Sequence, residues 1–76
     1  MQYKTELVAT SDGNGHIGLA MWLDGNVWRV VGETKTYRTY PAPVRARTAA
    51  DSLCKAHWAR LPFAQRIGQG YSIQHV

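Results

Sequence analysis

Cysteine is almost missing from this chain. Cys54 stands alone, so no internal disulfide can form, and the cystine frameworks that staple small secreted domains are excluded. Long apolar runs are missing as well, none approaching the ~20 residues that a membrane-spanning helix needs. No apolar stretch follows a basic start, so the composition predicts a cytoplasmic chain with no membrane partner. Carboxylates are scarce, five against nine Lys and Arg. Asp12 and Asp24 sit in turn contexts, Glu33 in a turn, Asp51 in the expected first turn of a helix and Glu6 on a strand. No pair is set out for general acid–base work. His16, His57 and His75 lack metal-ligand spacing, so neither a metal nor a cofactor is expected. With 76 residues there is no room for a second core. A single domain, 1–76, is predicted, burying only about 60% of its unfolded surface.

What is present is a lopsided charge. Residues 1–33 carry Lys4 and Arg29 against Glu6, Asp12, Asp24 and Glu33, a net −2. Residues 34–76 carry Lys35, Arg38, Arg45, Arg47, Lys55, Arg60 and Arg66 against Asp51, a net +6. A summed field of this kind steers association with anionic partners.

Alternation organises the first half of the chain. Tyr3, Thr5, Leu7 and Ala9 alternate with Lys4, Glu6 and Val8, as in a half-buried strand. Asp12-Gly13 and Asn14-Gly15 are turn dipeptides. From His16 to Leu23, Ile17, Leu19, Met21 and Leu23 share one side, and Gly18, Ala20 and Trp22 the other. The bulkier odd-numbered side is expected to face the core. A two-residue loop at Asp24-Gly25 places Trp28 and Val30 on that side and leaves Trp22 and Arg29 on the open side. A second such loop at Gly32-Glu33 predicts a further strand to Tyr40, with Arg38 on the open side. A three-residue loop there would move the partners of Tyr37 and Arg38 to the opposite faces.

Pro41 and Pro43 end that strand, because neither can donate a ladder hydrogen bond. Thr48 is the expected N-cap of a helix from about Ala49 to Leu61, with Ala49, Ala50, Leu53, His57 and Leu61 on its inward side. Phe63, Ala64 and Ile67 could extend one more helical turn before Gly68 and Gly70 break it. Tyr71 to Val76 alternates as a short terminal strand at a sheet edge. The predicted fold is α+β: a small antiparallel sheet of four or five strands in β-β-β-β-α-β order, with one helix on one face.

Three constellations carry chemical interest. Gly13, Gly15 and Gly18 match G-x-G-x-x-G, but the pattern runs into a strand where a dinucleotide site needs a helix. Cys54 and His57 are neighbours on a helix and could form a thiolate–imidazole pair or two metal ligands, but both lie on or beside its inward side. Trp22, Arg29, Arg38 and Tyr40, with Arg45 and Arg47 following, combine flat aromatic contact with guanidinium groups that bind phosphate or carboxylate. These six are the candidate binding residues.

The order of three antiparallel strands and a helix beginning at Thr48-Ala49-Ala50 resembles the arm-type DNA-binding modules of phage integrases, over about Gly18 to Leu61. The paired prolines Pro41 and Pro43 depart from their usual direct entry into the helix. The resemblance implies a sheet that enters the major groove, with Arg29, Arg38 and Tyr40 facing DNA. By size and lack of a catalytic site the chain is also similar to small phage-encoded inhibitors of the anti-CRISPR type. That implies blockade of a nucleoprotein complex or of a host protein. The expectation is thus a non-enzymatic binding protein of phage or mobile-element type, engaging nucleic acid or a nucleoprotein complex, with a protein-binding inhibitor as the alternative. A homodimer through an edge strand is open.

Overall fold

In the computed structural model, which describes residues 1–66 and 70–76, the chain is a small α+β domain. Its strands are β1 (Gln2–Ala9), β2 (His16–Asp24), β3 (Val27–Glu33) and β4 (Ser72–His75), and its helices are α1 (Ala42–Ala59) and α2 (Phe63–Arg66). The sheet order is β3-β2-β1-β4. β1 and β3 pair antiparallel with β2, and β4 pairs parallel with β1, so the sheet is mixed rather than wholly antiparallel. The crossover through α1 returns the chain in β1's own direction, which a hairpin cannot do.

The β2–β3 hairpin turns at Gly25-Asn26, one position later than expected, with Asp24 opposite Val27. Gly25 has φ of 66°, and among the described residues no non-glycine residue has positive φ. That pattern fits a II′ loop with glycine in its first position. The shift preserves parity: Trp28 pairs with Leu23 and Val30 with Met21, on the odd-numbered side as expected. Val31 is an extra residue, since Ala20 pairs with Gly32 while Met21 pairs with Val30. This bulge bends the outer strand and turns Val31 toward the core.

The helix lies on the opposite side of the sheet from the one the alternation predicts. The buried helix residues Ala42, Ala46, Ala50 and Cys54 recur every four positions and form a narrow, small-residue stripe. It beds onto the small-residue side of β2, where a Cβ added to Gly18 would lie 2.4 Å from the Ala46 carbonyl oxygen and 2.9 Å from Ala50 Cβ. Backbones this close leave no room for Leu or Met. Tyr3 completes the core, with its hydroxyl 2.8 Å from His57 Nδ1 and its ring edge-on to His57 and Tyr71. Trp22, expected on the open face, packs under α1 with its ring 5.3 Å from that of His57. Ile73 of β4 also packs against this core.

Two further expectations are corrected. No reversal occurs at Gly32-Glu33 and no fourth meander strand forms. The chain continues along β2, and Tyr37 and His16 exchange backbone hydrogen bonds of 2.9 Å. Pro41 and Pro43 do not end a strand but open α1, as N-cap and second helical residue. Proline suits that position, because first-turn N–H groups have no helical acceptor and its fixed φ is already helical. The helix therefore starts about two turns before Thr48, which lies within it. α2 supplies the extra turn expected from Phe63. Ile67 and Gly68, expected to extend and then break that turn, lie outside the described residues.

Candidate interaction surface

With the helix on the Gly18–Ala20–Trp22 side, the bulky side of the sheet is left open. Ile17, Leu19, Met21 and Leu23 run down its centre on β2, flanked by Trp28 and Val30 on β3 and by Val8 on β1. Val30 is 64% exposed and Val8 47%. Met21 is shielded, and Lys4 explains how. Lys4 pairs with Met21 across the strands, yet its ammonium sits 4.6 Å from the centre of the Trp28 ring. Its aliphatic stem therefore crosses β2 while its charge rests on the indole face. Lys4 also lies 3.6 Å from Glu6, so the cation on this face has a local counter-charge.

The six residues singled out as a binding set do not share a face. Trp22 is under the helix. Arg29 lies opposite Trp22 at the outer strand, where its Nε donates to the Asp24 carboxylate at 2.6 Å. Arg38 is in the connection after β3, donating to Asp12 at 2.8 Å. The Thr10 hydroxyl, the Asn14 N–H and Arg38 together hold the Asp12 carboxyl down at about 2. Tyr40 is 92% exposed just before α1. Arg45 is on the outer side of α1 over the Tyr37 ring, and Arg47 is half-buried with its Nε unpartnered. Two of the four strand and connection residues are thus spent on local ion pairs.

The Cys54–His57 pair does not assemble either. Cys54 is fully buried, and burial, reinforced by the nearby Asp51 carboxylate, pushes its thiol up to about 11. His57 is engaged by Tyr3, whose own hydroxyl is pushed up to about 12 by burial and then by Cys54 and Tyr71. His75 meets Asp51 at 3.0 Å, an exposed cross-link between β4 and α1. Among the described residues no three His, Cys, Asp or Glu side chains converge on a metal position, and no helix is long and apolar enough to cross a membrane.

No family model, no curated protein and no solved structure matches the chain. The phage, anti-CRISPR, nucleic-acid-binding and inhibitor identities implied by the two resemblances are therefore withdrawn. The sheet face turned away from the helix carries the aliphatic row of β2 with Val8, Trp28 and Val30, bordered by Lys4, Glu6, Glu33, Ser72 and Gln74. What sequence reasoning missed is that face itself, whose residues had been assigned to the core.

Proposed function

We propose that this chain is a non-enzymatic interaction module whose working surface is the open apolar face of the sheet, and that this face pairs with the same face of a second copy. One observation carries the reading: the aliphatic row Ile17, Leu19, Met21 and Leu23, with Trp28 and Val30 beside it, lies on the side of the sheet away from the helix. On the covered side Gly18 and Ala20 sit among Tyr3, Trp22, Val31 and Ile73, so the helix leaves the aliphatic row of β2 for an external partner. With Val8 and Val30 exposed and Ile17, Leu19, Leu23 and Trp28 half-buried between polar neighbours, the face has the apolar centre and polar rim of an association site.

Area supports a second copy. Strands of eight, nine, seven and four residues at ~3.3 Å rise and ~4.8 Å spacing give a footprint of roughly 440 Å² per copy. Two stacked faces then approach the ~1,000 Å² at which specific interfaces begin, before side-chain relief is counted. Charge supports it as well. The chain's formal charge is +4, but this face holds Lys4 against Glu6 and Glu33, so two copies meet without strong repulsion. A highly acidic or basic partner would find little to match.

Analytical ultracentrifugation of the wild type, Leu19→Arg and Val30→Arg tests the proposal. The wild type is expected to be a dimer and both variants monomers with unchanged helical circular dichroism, while Arg29→Glu on the opposite face leaves the dimer intact. A monomeric wild type overturns self-pairing.

A further inference from the structure

A second surface, independent of the sheet face, is built on the outer side of α1 and the connection that precedes it. Tyr37, Val44, Arg45, Thr48 and Ala49 line an open groove of about 360 Å³. Tyr37 is fixed there by its paired backbone bonds to His16. Its ring carries two cations, the Lys35 ammonium at 5.3 Å and the Arg45 guanidinium at 5.0 Å from the ring centre. Among the described residues neither cation is in an ion pair, whereas Lys4, Arg29 and Arg38 each are. No carboxylate lines the groove. Its floor is apolar, and Val44 is 61% exposed.

The geometry points to a binding site for an acidic peptide segment, with an apolar side chain seated on Val44 and Ala49 and flanking carboxylates on Arg45 and Lys35. Charge complementarity decides the class of occupant. Guanidinium and ammonium groups held over a ring keep their N–H donors free at the edge, where a carboxylate can accept them. The ring face they occupy is closed to a stacking base, and two cations suit one or two carboxylates better than a run of phosphates. Thr48 adds a hydroxyl at the rim. Two cations of the basic second half of the chain, Lys35 and Arg45, thereby acquire a specific place to act.

The test uses a fluorescein-labelled peptide alternating Glu and Leu, a Gln-for-Glu version, an Ala-for-Leu version and single-stranded DNA. Saturable binding of the Glu/Leu peptide is expected by anisotropy, weakened at least about tenfold in Arg45→Glu and in Lys35→Glu. Both substituted peptides should bind more weakly, and amide shifts should centre on Tyr37, Val44, Arg45 and Thr48. Unchanged binding in a folded Arg45→Glu overturns the site. So does DNA binding as tight as the peptide, which would mark a merely basic surface.

Discussion

Replacing Gly18 with alanine tests which side of the sheet the helix covers. The added Cβ would stand 2.4 Å from the Ala46 carbonyl oxygen and 2.9 Å from Ala50 Cβ. Comfortable carbon–oxygen contact needs ~3.3 Å or more, so α1 would have to lift by roughly 1 Å. Neither obstacle can swing aside, one being backbone and the other a methyl group fixed to it. Overpacking of this kind costs about 1–3 kcal/mol, and rigid neighbours put Gly18→Ala at the upper end, ~3 kcal/mol. At 4–8 °C per kcal/mol in a domain this small, Tm should fall by roughly 12–24 °C. Gly32→Ala is the control on the same face, where the new Cβ would meet only Leu53 Cδ1 at 3.8 Å. It should be neutral or stabilise by about 0.5 kcal/mol through reduced chain entropy. Thermal and urea unfolding followed by circular dichroism measure both. If Gly18→Ala unfolds within about 0.5 kcal/mol of wild type, the helix is not seated on the Gly18 side and the assignment of the open face fails.

Alkaline stability follows from Tyr3 and Cys54, whose protonated forms the fold favours, at about 12 and about 11 against ordinary values of 10.0 and 9.0. Because both are raised, their contribution is complete below about pH 9 and is lost as pH rises through 9 to 12. Urea midpoints should fall across that window, less steeply in Tyr3→Phe than in wild type; equal slopes would refute the Tyr3 assignment. Cys54 should resist a thiol reagent in the native protein and react at a rate that tracks unfolding across a denaturant series. Rapid labelling without denaturant would mean that the α1–sheet interface opens readily.

Much of this fold is legible in the residues, and the misreadings have specific causes. Alternation in β1 and β2 identified correctly which residues share a face, and parity across the hairpin survived a one-position error in the turn. Alternation cannot say which face is covered. Ile17, Leu19, Met21 and Leu23 look like core because they are large, yet a helix whose inward stripe is Ala42, Ala46 and Ala50 fits only a face as small as itself. That match of small with small was the available signal, and it was obscured by starting the helix at Ala49. The late start came from reading Pro41 and Pro43 as the end of a strand, although the first turn of a helix accepts proline equally well. Gly32-Glu33 resembles a turn, but the extra residue at Val31 is absorbed as a bulge and the chain runs on beside β2, which carries Arg38 into the loop with Asp12. The binding set was consequently assembled from residues that the fold separates. Tyr37, which carries the cations of the α1 groove, was read only as a strand residue.

The proposed interface between two copies is the sheet face bearing Leu19, Met21, Leu23 and Val30. Its most direct test is an isotope-filtered NOE measurement on a mixture of labelled and unlabelled protein, which detects contacts only between molecules. Intermolecular contacts are expected among the methyl groups of Leu19, Leu23 and Val30, with Trp28 at their border. Self-pairing through this face is contradicted if no intermolecular contacts arise from it, or if they arise from the α1 side of the molecule.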